Sequence, residues 1–66
     1  MNCTVNGKPK ELPDGMNVEE LIESLGMSEA ICAVEVDKKL VPKGERVSSV
    51  ILEGQQIEIV TLIGGG

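Results

Sequence analysis

The sequence predicts an α+β fold in which a mixed sheet of four or five strands packs on one main helix. Three observations lead to this prediction. Residues 1–12 alternate around an Asn-Gly pair, which is typical of a hairpin. Residues 17–26 carry one apolar stripe at helical spacing, and residues 57–63 form a β-branched run before a glycine end. A chain of 66 residues accommodates one small domain of two packed layers.

The first element is predicted to be a β-hairpin. Apolar residues alternate with polar ones at the period of a half-buried strand, at Met1, Cys3 and Val5. Asn6-Gly7 predicts a type I′ turn, because both central positions of that turn need a positive φ. The returning arm, residues 8–12, contains Pro9. Since proline donates no hydrogen bond to a ladder, this arm is predicted to be an edge strand.

A helix is predicted to follow the turn at Asp14-Gly15. Asn17 is a favourable N-cap residue, and Glu20 stands at the position that completes a capping box. The apolar stripe consists of Val18, Leu21, Ile22 and Leu25. Gly26 suits the left-handed position that ends a helix.

The middle of the chain is predicted to contain two further strands. Residues 30–36 are apolar and mostly β-branched, with alternate residues Cys32, Val34 and Val36 on one face. A polar turn at either Asp37-Lys38 or Lys38-Lys39 leads into a short strand at 40–41, which Pro42 stops.

The last third is predicted to run from loop to central strand. Residues 43–46 read as a polar loop, and residues 47–52 fit either a short helical turn or an irregular stretch. A turn at 53–55 precedes the final strand. Because this strand is the most apolar, we place it centrally, beside and parallel to the first strand. The resulting arrangement is a β-grasp, the ubiquitin-like architecture.

Composition excludes several functions. The chain has no Phe, Tyr, Trp or His, so it cannot bind nucleic acid by base stacking, and its net charge of −5 disfavours a phosphate backbone as partner. No run of 18 apolar residues and no signal-peptide pattern is present, so we expect a soluble cytoplasmic protein that binds neither nucleic acid nor membrane.

The two cysteines, Cys3 and Cys32, are predicted to be buried small hydrophobic residues. Without histidine they cannot complete a zinc site, and an iron–sulfur cluster needs four ligands. We therefore expect no metal site in this chain. A disulfide is possible by count, but a cytosolic setting disfavours it.

The glycine tail, defined as Gly64, Gly65 and Gly66, is the candidate functional site. We expect residues 1–63 to form the domain and residues 64–66 a flexible tail with a free carboxylate. Three extended residues reach about 10 Å, and without Cβ atoms they fit a narrow channel in a partner. The reacting group is then the terminal carboxylate. The alternative is a frayed end or a remnant of cloning.

The chain resembles the ThiS family of sulfur carriers in thiamin biosynthesis over essentially its whole length. The segments that carry the resemblance are Val5-Asn6-Gly7, Val36-Asp37, Leu40-Val41-Pro42, and residues 53–60 leading into Gly64-Gly65-Gly66. Gln55 departs from the family, which usually has an acidic residue after the turn glycine.

The resemblance implies that Gly66 is the modified residue. In the family, an adenylating enzyme of the ubiquitin-activating type (ThiF type) uses ATP, with Mg²⁺, to activate the C-terminal carboxylate. Sulfur supplied through a persulfide then gives a thiocarboxylate, and thiazole synthase (ThiG type) takes that sulfur. The chain itself shows no nucleophile–base pairing and no phosphate-binding loop, so we expect a carrier that is not an enzyme and binds no cofactor.

Two alternatives remain open from the sequence. One is the small subunit of molybdopterin synthase, which also carries a thiocarboxylate, although such chains tend to be longer and richer in aromatic residues. The other is a β-grasp interaction module without acyl chemistry, which would tolerate loss of Gly66.

Two surfaces are candidates for partner contact. Alternation places Ile57, Ile59 and Thr61 on one face of the last strand and Glu58, Val60 and Leu62 on the other. If the first set is core, Val60 and Leu62 form a docking patch near the tail, unless another element covers them or they are scattered surface residues.

The acidic residues of the first half form either a solvated face or a surface that steers a basic partner, namely Glu11, Asp14, Glu19, Glu20 and Glu23.

Overall fold

The computed structural model describes residues 1–26 and 31–61, and of residues 31 and 32 it describes the backbone alone. The elements are β1 (Asn2–Val5), β2 (Lys8–Glu11), α1 (Val18–Ser24), β3 (Ile31–Val36), β4 (Lys39–Leu40), a 3₁₀ helix (Lys43–Glu45) and β5 (Gln56–Thr61). Within these residues one five-stranded sheet has the order β2-β1-β5-β3-β4. Among the strand pairs of the described residues, only β1–β5 is parallel. The predicted fold class and the central position of the last strand are confirmed.

The hairpin forms as the Asn-Gly pair predicts. Asn6 and Gly7 have φ angles of 52° and 81°, the positive values that a type I′ turn needs. The returning strand β2 lies at the sheet edge. Pro9 stands opposite Thr4, whose N–H points the other way, to Gln55 O at 3.1 Å on the β5 side. The nitrogen of Pro9 therefore faces the open edge, where the missing donor costs no ladder hydrogen bond.

The predicted helix start is confirmed in detail. The Asn17 side chain accepts a hydrogen bond from Glu20 N at 2.7 Å, and Glu20 Oε1 accepts one from Asn17 N at 2.9 Å. This reciprocal pair satisfies two N–H groups that the first turn leaves without partners. Gly26, after the helix, has a φ of 70°, the left-handed conformation expected there.

The core is wholly aliphatic apart from one thiol and lies between α1 and one face of the sheet. Its buried residues are Cys3, Leu12, Val18, Leu21, Ile22, Val34, Ile51, Ile57 and Ile59. Cys3 is 4% exposed and free, as predicted for a small buried residue. Its Sγ donates to Leu52 O at 3.4 Å. The side chain of Cys32 lies outside the described residues, so its burial stays a prediction.

Residues 43–46 correct the sequence prediction of a polar loop. Lys43–Glu45 form a 3₁₀ helix, and Arg46 is buried, with only 5% of its surface exposed. The carbonyl of Arg46 accepts a hydrogen bond from Glu19 N at 3.2 Å, which ties this residue to the first turn of α1.

Two alternatives that the sequence left open are decided by the structure. Asp37 and Lys38 have φ angles of 51° and 69°, so they form the turn between β3 and β4. Residues 47–52 begin as a turn and continue as an extended stretch beside the start of α1, where Ile51 N donates to Met16 O at 2.9 Å. Ile51 then enters the core from a segment without regular structure.

Ile57 provides a test of the core. We expect Ile57→Val to lower the free energy of unfolding by about 1 kcal/mol, because one buried methylene is lost from a close-packed site. Urea denaturation followed by far-ultraviolet circular dichroism measures this in a chain without aromatic residues. The control is Val47→Ala, at a position 66% exposed, which should change the stability by less than about 0.5 kcal/mol. Equal losses in the two variants would contradict the assignment of Ile57 to the core.

Candidate functional site

The candidate site is built on the end of β5. Pairing between β1 and β5 stops at Val5–Ile57, where the chain turns away at Asn6. On the other edge, pairing with β3 continues to Ile31–Thr61. The strand therefore extends beyond β1 while it is still held by β3.

Side chains alternate along β5 as the sequence predicts. Ile57 and Ile59 are buried, whereas Glu58 is exposed and Val60 is 47% exposed. Thr61, which alternation places with the buried pair, is itself exposed. The exposed position of Val60, on which its prediction as a docking residue depends, is confirmed.

The other predicted site residues lie further along the chain. Leu62, Gly64, Gly65 and Gly66 are outside the described residues. The division into a domain and a glycine tail, the modification of Gly66 and the docking role of Leu62 therefore stay predictions.

The strand register defines an outer face of the sheet on the side opposite α1. Residues directly opposite each other on paired strands share a face. Val60 pairs with Ala33, Glu58 with Glu35, and Glu35 with Leu40. The outer face thus comprises Ala33, Glu35, Leu40, Glu58 and Val60. Since Leu40 is 63% exposed, this surface has a second large apolar side chain that sequence reasoning missed.

A register argument could have found Leu40. A two-residue turn at Asp37-Lys38 places Lys39 opposite Val36 and Leu40 opposite Glu35, as observed. The alternative turn at Lys38-Lys39 would have shifted the pairing. Because successive strand residues point to opposite faces, such a shift changes which residues lie outward.

The outer face also contains a like-charged pair. Glu35 and Glu58 lie directly opposite each other on antiparallel strands, where like charges lower the stability of the sheet. No salt bridge joins either carboxylate to a cation among the residues that the structure describes. The face therefore combines apolar side chains with unneutralised negative charge.

The acidic residues of the first half have mostly local roles. Glu19 and Glu20 lie in the first turn of α1, where negative charge interacts favourably with the helix dipole. Asp14 Oδ1 lies 3.3 Å from the N-terminal ammonium group. These positions support the interpretation of a solvated acidic face, and steering of a basic partner stays a prediction.

Two further properties of the described residues bear on function. No group of three or more His, Cys, Asp or Glu side chains in them could hold a metal ion. No helix in residues 1–26 and 31–61 has the length and apolar character needed to span a membrane.

Comparison with known proteins identifies relatives along the whole chain. Thiazole synthases from Paramagnetospirillum magneticum and Magnetococcus marinus are 35% and 38% identical to it over 66 residues. The chain spans about a fifth of the length of these two proteins, 20% in each case. The sulfur carrier protein ThiS of Escherichia coli is 27% identical over 66 residues, with both chains fully covered.

A solved structure and a family model agree with these relatives. The crystal structure of the thiamine biosynthesis protein ThiS from Geobacter metallireducens superposes with a TM-score of 0.83, at 30% identity, and covers all of both chains. The model of the ThiS family matches residues 3–66, which include the described β-grasp domain and the glycine tail. The chain belongs to the ThiS family.

Proposed function

We propose that this chain is the sulfur carrier of thiamin biosynthesis, with the C-terminal carboxylate of Gly66 as the group that carries sulfur. The observation on which the proposal rests is the course of β5, the central strand. It is anchored in the core through Ile57 and Ile59, extends beyond β1, and leads in sequence to three glycines. Membership of the ThiS family supports the same role.

The chemistry follows from the reactivity of a carboxylate, which is a poor acylating agent because oxide is a poor leaving group. In the proposed first step, a Gly66 carboxylate oxygen attacks the α-phosphorus of ATP, and pyrophosphate leaves. A persulfide sulfur then attacks the carbonyl carbon of the acyl adenylate, and AMP leaves. Cleavage of the S–S bond by a thiol gives the thiocarboxylate and a disulfide. Mg²⁺ and cationic groups on the activating partner would stabilise the phosphate charge.

In this scheme the chain is a substrate for its partners and catalyses no step. Its contribution is a tail without side chains, which a narrow active-site channel can enclose on all sides. The adenylating partner is of the ubiquitin-activating type, and the sulfur donor supplies a persulfide. ATP and Mg²⁺ bind to the partner, and the chain binds no cofactor of its own.

The proposed acceptor of the sulfur is a thiazole synthase. Two proteins named thiazole synthase contain a stretch that is similar to the whole of this chain. Carrier-like and synthase sequences are thus joined in single proteins, which favours a functional partnership between the separate chains. These names also favour the thiamin pathway over the molybdopterin alternative.

We propose the outer face as the docking surface for the activating enzyme. It contains two exposed apolar side chains, Val60 (47%) and Leu40 (63%), and Val60 lies on the strand that leads to the tail. Leu62 would extend the same face. Between the apolar residues, Glu35 and Glu58 offer carboxylates to Arg or Lys on the partner.

The first prediction concerns the modified residue. In cells that make thiamin, we expect the intact mass to increase by the difference between sulfur and oxygen, and fragmentation should place the change at Gly66. Deletion of Gly66 should abolish the change, because the shortened tail ends about 3.5 Å short of the partner's reaction centre. A cysteine persulfide adds a whole sulfur atom and is distinguished by mass. Sulfur-for-oxygen exchange in the deleted chain at the parent's rate would refute the assignment.

The second prediction concerns Val60 as a docking residue. Val60→Ser should raise the Kd for the activating enzyme about fivefold. Burial of a half-exposed valine on binding contributes roughly 1 kcal/mol to the binding free energy, and serine loses this contribution. The matched control is Val47→Ser, at a valine that is 66% exposed outside the strands of the sheet. Titration calorimetry measures both values. A similar change of Kd in the two variants would show that the outer face is not the docking surface.

The third prediction concerns the opposed glutamates. Glu58→Gln should raise the free energy of unfolding by about 0.5 kcal/mol, because it removes the like charge opposite Glu35. The same change should slow association with a cationic partner surface. Glu11→Gln alters the net charge equally but lies opposite Asn2, so it serves as control. If Glu58→Gln raised the free energy of unfolding no more than Glu11→Gln does, repulsion between Glu35 and Glu58 would not lower the stability of the domain.

A further inference from the structure

Asn6 holds β5 at two points. Its backbone N–H donates to Ile57 O at 2.8 Å, and its side-chain Oδ1 accepts from Ile59 N at 2.7 Å in a part-buried hydrogen bond. Backbone pairing between β1 and β5 has already stopped at Val5–Ile57. The Asn6 side chain therefore supplies one more hydrogen bond in the direction of the tail than the backbone of β1 can reach.

This hydrogen bond lies at a boundary in β5. Ile59 is 7% exposed and is the last residue of the strand in the core, whereas Val60 is 47% exposed and Thr61 is also exposed. Asn6 itself has a φ of 52°, a conformation that asparagine tolerates better than most residues. One residue thus forms the hairpin turn and holds the last core-anchored N–H of the central strand.

We propose that Asn6 is a positioning residue for the sulfur-carrier reaction, which sets the direction in which β5 leaves the domain towards Gly66. This proposal rests on the proposed function. Val60 and Thr61 continue β5 beyond Ile59 and cover about 7 Å. A change of direction at Ile59 is therefore carried to whatever follows Thr61. A strand that is ordered before binding also spares the partner the entropy of ordering it.

The consequence for kinetics is specific. Once the tail is enclosed by the activating enzyme, its geometry is fixed by that enzyme, whether or not the free carrier was ordered. Loss of the Asn6 hydrogen bond should therefore raise KM and leave kcat unchanged. One hydrogen bond of typical net strength corresponds to about a fivefold change in KM.

Asp37 provides a matched control at the other end of β5. It also has a left-handed φ, of 51°. Its N–H donates to Gln56 O at 2.7 Å, and its Oδ1 accepts from Gln56 N at 2.9 Å. Asp37 therefore makes the same two kinds of hydrogen bond to the same strand, but at the first residue of β5, away from the tail.

The experiment compares Asn6→Gly, Asn6→Asp and Asp37→Gly in the full chain. Glycine keeps the left-handed conformation and removes the acceptor, whereas aspartate keeps both. Amide hydrogen exchange at Ile59 is measured by NMR, and KM and kcat are measured for thiocarboxylate formation by the activating enzyme. We expect Asn6→Gly to speed exchange at Ile59 and to raise KM about fivefold at unchanged kcat. Asn6→Asp should restore both values, and Asp37→Gly should leave KM at the parent's value.

Several outcomes would overturn the proposal. An equal rise of KM in Asp37→Gly would assign the effect to lost stability of the whole domain. An Asn6→Gly variant with fast exchange at Ile59 but the parent's KM would show that the direction of β5 at Ile59 does not affect recognition by the activating enzyme. A parent chain that gains no sulfur overturns the proposed function together with this proposal, whereas a modified parent with an unaffected Asn6→Gly variant overturns this proposal alone.

Discussion

Burial of Ile57 and Ile59 between the neighbouring strands and the helix is the constraint on which the rest of the structure depends. A core without aromatic rings must be filled by branched aliphatic side chains, each of which contributes roughly 1.5–3 kcal/mol when fully buried. The two isoleucines place β5 at the centre of the sheet, with β1 on one edge and β3 on the other. Whatever follows β5 in the sequence is therefore attached to the central strand of the sheet.

The two faces of this sheet differ in composition and burial. The residues of the inner face are apolar and are buried against α1. The outer face keeps Leu40 and Val60 exposed and sets Glu35 against Glu58, although an isolated domain gains nothing from either arrangement. Proteins commonly depart from the rules of sheet stability at functional surfaces. Here Glu58 and Val60, which depart from them, lie on the strand that leads to the tail.

Local chemistry explains which parts of the fold the sequence could predict. The Asn6-Gly7 turn and the capping box at Asn17 depend on residues within a few positions of each other, so both can be predicted from the local sequence. Arg46 is buried, and its carbonyl accepts a hydrogen bond from Glu19 N, a contact between residues far apart in sequence. The outward position of Leu40 depends on which of two overlapping turns forms, since a shift of one residue reverses the faces. The exposure of Val60 was predictable because residues 57–60 of β5 alternate between buried and exposed. No sequence pattern shows the hydrogen bond between the Asn6 side chain and Ile59 N.

The pairing of the first strand with the last has a consequence for how the tail is presented. β1 and β5 are close in space but lie at opposite ends of the chain, so their pairing closes a long loop at an entropic cost. The Asn6 hydrogen bond to Ile59 belongs to the same non-local set of contacts. The paired strand β5, held at Ile59, therefore exists only in the folded domain, and an unfolded chain has its glycines without that strand. A partner that binds the outer face together with the tail would then select folded carriers, because only the folded chain brings both features together.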